Sequence, residues 1–227
     1  ATLSIHLILP HILVQLGTEA QKQKYLPAHY SASEVNQLLD KLRGHWMYVP
    51  VVLSVFYGLR RSEVLGLQWG SVDFENKTIT IQHTRIYGDS DGTDAVIERD
   101  ILKRKSSYRT LPIPETVWTL LYNLKTVRYG KAPAPNDVYV CLNREGEPVA
   151  PNYFTQCFKQ FLRDNDLREI RLHDLRHTCA SVLIQNRVPL IEVQQWLGHS
   201  TLETTADLYA HLEYETKLAS AETLKKI

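Results

Sequence analysis

The spacing of apolar residues changes twice along this chain, and that change limits the folds it can adopt. Over residues 31–67, and again after Pro114, apolar side chains recur every three or four residues, which is typical of amphipathic helices. Between them the interval shortens to two: Ile79 and Ile81 alternate with threonines, which predicts a strand. The pattern therefore predicts a mainly α fold with a small antiparallel β-sheet inserted into helical surroundings (α+β).

Local signals indicate where these elements begin and end. Ser31 and Glu34 form a capping-box pattern, which predicts that a helix starts there. Gly58 is expected to end a second helix, and Pro189 and Gly198 are expected to bound a later one. Helices are predicted over residues 31–42, 51–57, 60–67, 117–124, 153–162, 173–184, 189–197, 202–209 and 213–227. Strands are predicted within residues 72–82, of which 73–77 are turn-like, near Ile97 and Ile101, and over 109–113, with a polar loop over 88–94.

Composition narrows the class of protein only slightly. The 227-residue chain is 44% hydrophobic, which is enough to bury a core. Its formal net charge is +1, so the charge of the whole chain does not indicate a nucleic-acid partner, although basic residues concentrate over residues 99–109 and 159–176. No apolar run approaches about 18 residues, so no membrane span is predicted. Cys141, Cys157 and Cys179 include no C-x-x-C pair, which predicts packed thiols in a reducing cytoplasm and no zinc cage.

Two arginines lie next to apolar helical segments. Arg60 and Arg176 are each expected to be partly buried, and a buried arginine needs an anion or a partner. A guanidinium donates two parallel hydrogen bonds and keeps its charge at any working pH, so it suits a phosphate whose oxygens gain negative charge during attack. Glu63, three residues after Arg60, offers a structural partner instead. The sequence leaves both interpretations open.

Histidines and a tyrosine are candidates for proton transfer and nucleophilic attack. His173 and His199 suit general acid–base catalysis near neutral pH. His177 follows His173 by four residues, but no glutamate of the H-E-x-x-H type and no third ligand accompany them, so we predict no metal. The phenol of Tyr209 has a reference pKa of about 10 and needs a base or positive surroundings to attack. Tyr214 is a rival in more polar surroundings.

Four motifs in this order resemble the tyrosine recombinases, in particular the integrases of phages and conjugative transposons. They are GLRRSEVLGL over residues 58–67, KRKSSYRTLP over 103–112, HDLRH over 173–177, and the segment from LGHS at 197–200 to YAH at 209–211. The resemblance implies that family's mainly α catalytic-domain fold over residues 29–212. It also implies that residues 1–28 are a linker or the remnant of an upstream core-binding domain. Residues 213–227 would then be a tail helix of the kind that packs on a neighbouring subunit.

The same resemblance implies a DNA-cleaving site. Tyr209 corresponds to the nucleophile that forms a 3′-phosphotyrosyl bond, without a metal or other cofactor. Arg60 and Arg176 correspond to the arginines that hold the phosphate, and His173 and His199 to the two histidines of that site. A lysine general acid and further DNA contacts complete the expected set: Lys103 as the acid with Lys105 as a near rival, and Lys105, Arg104, Arg109, Arg171 and His177 as DNA contacts.

Partners and a location also follow from the resemblance. It implies double-stranded DNA as the substrate, a tetramer on DNA with tail exchange, accessory DNA-bending or excision factors, and action in the bacterial cytoplasm. The implied role is site-specific integration or excision of a mobile element. Two other classes stay open on sequence alone: a type IB topoisomerase-like enzyme that relaxes supercoils, and a non-enzymatic DNA-binding protein.

Overall fold

The structure, a computed structural model, describes residues 29–90, 93–100 and 108–199. This part of the chain contains seven α-helices, a short 3-10 helix (Trp69–Ser71) and five strands. The helices are α1 (Ala32–Leu42), α2 (Tyr48–Tyr57), α3 (Arg61–Leu65), α4 (Glu115–Tyr129), α5 (Pro151–Asp164), α6 (Asp174–Gln185) and α7 (Leu190–Leu197). The strands are β1 (Val72–Asp73), β2 (Thr78–Ile81), β3 (His83–Ser90), β4 (Thr93–Asp100) and β5 (Arg109–Pro112). The predicted fold class is confirmed. Predictions over residues 1–28, 101–107 and 200–227 lie outside the described residues.

Helix starts and stops that rest on local chemistry are confirmed. At α1 the Ser31 hydroxyl accepts a hydrogen bond from the backbone N–H of Glu34, and the Glu34 carboxylate accepts one from the backbone N–H of Ser31. Helix α2 begins three residues earlier than predicted, because Pro50 lies in its first turn, where a helix has no intrahelical partner for the N–H that proline lacks. It ends at Gly58, which has the left-handed φ of 58° that glycine adopts without strain.

The strands form two antiparallel units rather than one. Strands β1, β2 and β5 make a three-stranded sheet, whereas within the described ranges β3 and β4 pair with each other alone. The loop predicted over residues 88–94 is wrong, because β3 runs to Ser90 and β4 starts at Thr93, and these two residues are cross-strand partners. The strand predicted over residues 109–113 is observed as β5, and it pairs with β2. Cross-strand pairing here outweighs the turn preference of the Gly, Asp and Ser residues.

The helices bury a continuous apolar core, and a small second cluster extends it towards the ends of α2, α6 and α7. That second cluster consists of Cys179, Ala180, Val193 and Leu197. Of the three cysteines, Cys141 and Cys179 are buried, as predicted, and Cys157 is half-buried. Within the described ranges, no helix has both the length and the apolar character needed to cross a membrane.

Replacing Gly58 by alanine is expected to lower the free energy of unfolding by roughly 2–4 kcal/mol. The left-handed backbone penalises any Cβ, and a Cβ at this position would also overlap the Leu197 side chain. Gly44→Ala is the matched control, because Gly44 has a φ of 76° but nothing within 4 Å of the added atom. Urea unfolding should give the control a loss of only about 1 kcal/mol; equal losses for the two variants would show that packing against Leu197 has no role.

Candidate active site

Three chain segments meet where α2 ends, and they bring together residues that are far apart in sequence. Helices α6 and α7 both hydrogen-bond to the last turn of α2, since Cys179 and Trp196 donate to the backbone carbonyl of Phe56 over 3.4 and 3.3 Å. The segment that leads to Arg60 therefore lies beside α6 and the end of α7. At that end Gly198 has a left-handed φ of 68°, which turns the chain away from the helix axis.

The guanidinium of Arg60 is held by two acceptors, and part of its side chain is exposed to solvent. Its guanidinium donates to the Glu63 carboxylate at 2.7 Å and to the Gly198 carbonyl at 3.1 Å, and its side chain is 36% exposed. Glu63 is thus the structural partner that the sequence suggested. The contact with Gly198 joins Arg60 to the segment that carries His199.

Arg176 is buried, and one of its donors has no partner. The residue is only 3% exposed, and its Nη1 donates to the Gly58 carbonyl at 2.6 Å. Among the described residues nothing accepts a hydrogen bond from its Nη2. Burial, reinforced by the nearby charge of Arg60, lowers the pKa of Arg176 to about 9. A buried, partly unpaired guanidinium is costly, and an anion that binds here would supply the missing acceptor.

Three histidines surround the two arginines. The rings of His173 and His177 meet edge to face with centroids 5.0 Å apart; His173 is exposed and His177 is half-buried. Desolvation, followed by the charge of Arg176, lowers the pKa of His173. Burial is also the main reason why the pKa falls to about 4 for His177 and to about 3 for His199. For His199 the nearby charges of Arg176 and Arg60 add to the effect. At neutral pH all three rings are therefore uncharged and able to accept a proton.

Two predicted DNA contacts have different surroundings. The structure corrects the prediction that Arg109 contacts DNA. Its side chain is 7% exposed and donates to the Glu63 carboxylate at 3.0 Å and to the Trp196 carbonyl at 2.8 Å, so it faces the interior rather than a DNA surface. Arg171 is 72% exposed and pairs with Asp174 at 2.8 Å, so its role as a DNA contact stays a prediction. Lys103, Lys105, Arg104 and Tyr209 lie outside the described residues.

The sequence indicates only one of the two arginines that pair with Glu63. Its side chain is buried, which raises its pKa, but Arg109 and then Arg60 outweigh that effect and hold the pKa below its usual value. The pairing with Arg60 has a local signal, because the two residues are three apart. The pairing with Arg109 spans 46 positions and has no such signal.

The described cluster can hold an anion and exchange protons with it. Two guanidiniums supply charge and forked donors, and three neutral imidazoles can each accept or donate a proton. Over residues 29–90, 93–100 and 108–199, no group of three or more His, Cys, Asp or Glu side chains is arranged to hold a metal ion. The arrangement suits chemistry on a phosphate group.

Acid is expected to destabilise the fold before its carboxylates titrate. Since the pKa values of His177 and His199 are lowered on folding, the unfolded chain binds more protons below pH 6.5, and stability falls as the pH drops towards 4. Between pH 6.5 and 5 we expect a loss of roughly 2 kcal/mol in the free energy of unfolding, measured by urea titration. His199→Gln should make this dependence shallower; an unchanged slope would contradict the buried neutral state of that ring.

Comparison with known proteins identifies the family. Residues 30–216 match the model of the phage integrase family. The chain is 30% identical over 223 residues to a XerC-like tyrosine recombinase of Caldanaerobacter subterraneus subsp. tengcongensis, covering 93% of this chain and 57% of that protein. It is also 30% identical over 183 residues to the ICEBs1 integrase of Bacillus subtilis, covering 76% of this chain and 46% of the relative. The chain therefore belongs to the phage integrase family, and the resemblance to tyrosine recombinases is confirmed.

Solved structures agree on the fold. The Tn1549 transposon integrase (residues 82–397), in complex with circular intermediate DNA, matches with a TM-score of 0.72 at 22% identity, over 94% of this chain and 71% of that chain. The XerA recombinase matches with a TM-score of 0.64 at 20% identity, over 85% of this chain and 64% of that chain. The present chain spans about half the length of the two sequence relatives.

Proposed function

We propose that this chain is the catalytic part of a site-specific DNA recombinase that integrates or excises a mobile element. The observation that carries the proposal is the buried Arg176 guanidinium, with one Nη unpaired, beside Arg60 and three neutral histidines. A DNA phosphodiester would supply an acceptor for that unpaired Nη2 of Arg176. Family membership and relatives named as recombinases and integrases support the same reading.

The proposed reaction exchanges one phosphodiester for another. The phenol oxygen of Tyr209 attacks phosphorus and its proton passes to a neutral histidine, for which His173 is our assignment. The bond from phosphorus to the 5′-oxygen breaks, and that oxygen takes a proton from a general acid, assigned to Lys103 with Lys105 as its rival. Arg60 and Arg176 hold the non-bridging oxygens while negative charge builds on them, and His199 donates its N–H to the same group. Because the products are a phosphotyrosine and a 5′-hydroxyl, the reverse attack reseals DNA without any energy source.

Covalent trapping is the experiment that tests this proposal. A duplex from the ends of the encoding element, nicked so that the short fragment with the new 5′-hydroxyl diffuses away, should leave the protein attached to a 3′-phosphate. Mass spectrometry of the digested adduct should place the nucleotide on Tyr209. An adduct on another residue would overturn the assignment of the nucleophile, and a bound but never attached DNA would favour the non-enzymatic alternative. Relaxation of a plasmid without recombination sites would favour the topoisomerase-like alternative.

Partners and domain roles belong to the same proposal. We assign residues 29–212 to catalysis on double-stranded DNA, residues 1–28 to a linker or the remnant of a core-binding domain, and residues 213–227 to exchange between subunits of a DNA-bound tetramer. Accessory DNA-bending or excision factors would act on that assembly. An apolar groove between α1, α2 and α6, with a volume of about 350 Å³ and edged by the exposed side chains of Phe56 and Val182, is compatible with such a tail.

A further inference from the structure

We propose that Arg109 is a positioning residue, which fixes the end of α7, and with it His199, against the Glu63–Arg60 pair. This inference rests on the proposed function for its effect on cleavage, but its structural part can be tested without DNA. Arg109 is buried: its side chain is 7% exposed, and its guanidinium donates to the Glu63 carboxylate and to the Trp196 carbonyl.

The guanidinium of Arg109 bridges Glu63 of α3 and the last turn of α7. Its Nη2 and Nη1 donate to the two Glu63 carboxylate oxygens at 3.0 and 3.4 Å, which fixes the plane of that carboxylate. Its Nε donates to the Trp196 carbonyl at 2.8 Å. A helix leaves its last carbonyls without intrahelical partners, and this contact satisfies one of them at the negative end of α7.

Arg60 completes the bridge from the other side. Glu63 accepts hydrogen bonds from the Arg60 side chain at 2.7 Å and from the Arg60 backbone N–H at 2.9 Å. Arg60 in turn donates to the Gly198 carbonyl at 3.1 Å. Two arginines thus hold two carbonyls at the end of α7, two residues apart, and one carboxylate orients both of them.

The local sequence leaves room for this bridge. A Cβ at position 198 would lie 2.7 Å from Nη1 of Arg109, so only glycine fits against the guanidinium without displacing it. The same glycine has the left-handed backbone that directs the chain to His199. The close approach and the turn therefore occur at one residue, and moving Arg109 is expected to move His199.

The test compares Arg109→Met and Arg109→Lys with Arg43→Met, a control that removes an exposed arginine paired with Asp40. Single-turnover cleavage is measured on the nicked duplex with either a normal phosphate or a neutral methylphosphonate at the cleaved position. If Arg109 positions Arg60 and His199 around the anion, Arg109→Met should lose roughly 100-fold on the phosphate. It should lose much less on the methylphosphonate, where the clamp has less charge to hold. Arg109→Lys should fall between Arg109→Met and wild type, and the control should match wild type.

Equal losses on both substrates, after correction for the folded fraction, would mean that Arg109 only stabilises the fold, and would overturn the inference. A second measurement needs no DNA and no activity. The NMR titration of His199 in Arg109→Lys should shift to a higher pKa, because the released end of α7 gains solvent, while that of the distant His45 stays in place. An unchanged His199 titration would overturn the inference even if wild-type protein cleaves DNA. Absence of any wild-type adduct, with the expected His199 shift, would instead count against the proposed function alone.

Discussion

Tyr209→Phe is expected to abolish covalent attachment to DNA while leaving binding almost unchanged. The substitution removes one oxygen, which is the atom that must bond to phosphorus, so single-turnover cleavage should fall by roughly 10⁴-fold or more. The arginines and histidines proposed to hold the phosphate are untouched, and the affinity for the nicked duplex should change by no more than about 0.5 kcal/mol. Gel-shift titration and adduct formation on the same duplex measure the two effects separately.

The matched control for this experiment is Tyr214→Phe. It makes the same chemical change five residues later, at the rival tyrosine. We expect Tyr214→Phe to form the adduct at close to the wild-type rate. If Tyr209→Phe still formed an adduct, or if only Tyr214→Phe failed to do so, the nucleophile would have to be reassigned.

Arg176→Met is expected to lose activity without losing stability. Removing a donor that stabilises charge in the transition state should slow cleavage by roughly 10²–10³-fold. The variant loses the hydrogen bond to the Gly58 carbonyl but also removes a buried guanidinium with an unpaired Nη2, so the two effects on the free energy of unfolding should nearly cancel. Urea unfolding and single-turnover cleavage together measure this separation of activity from stability.

Arg168→Met is the matched control, and it should lose a little stability but no cleavage activity. Arg168 pairs with Glu34 at 2.6 Å on the exposed face of the fold, and its removal should reduce stability by at most about 1 kcal/mol and leave cleavage unchanged. A large loss of stability in Arg176→Met, matched in size to its loss of activity, would mean that the arginine holds the fold together and does not act on phosphate.

Features of the fold that depend on neighbouring residues were predictable, and those that depend on distant pairing were not. The capping box at Ser31 and the glycines at 58 and 198 act within one or two helical turns, so the sequence indicates them directly. The hairpin of β3 and β4 was missed because the polar run at residues 88–94 is typical of a loop, and only the cross-strand register shows that its ends are strands.

In the candidate site, too, the residue types could be predicted from the sequence, whereas the contacts between distant residues could not. Residue type and order were enough to select Arg60, Arg176, His173 and His199, and the structure brings all four together around the end of α2. The burial of Arg109 could not be foreseen, because an arginine in a basic stretch is usually solvated and its acidic partner lies 46 positions away. The hydrogen bonds from these arginines to the carbonyls of Gly58 and Trp196 could not be predicted either. Every residue has a carbonyl, and only the fold decides which of them accepts a hydrogen bond from an arginine.

The hydrogen bond from Arg176 to the Gly58 carbonyl has a consequence for ligand selection. Gly58 precedes Arg60 by two residues, so a short piece of main chain acts as a spacer between the two guanidiniums. This spacer keeps the two guanidiniums near each other in the folded protein, so an anion need not bring them together on arrival. Selection should therefore depend on the shape of the anion: a tetrahedral group that contacts both guanidiniums is expected to bind better than a flat carboxylate of equal charge.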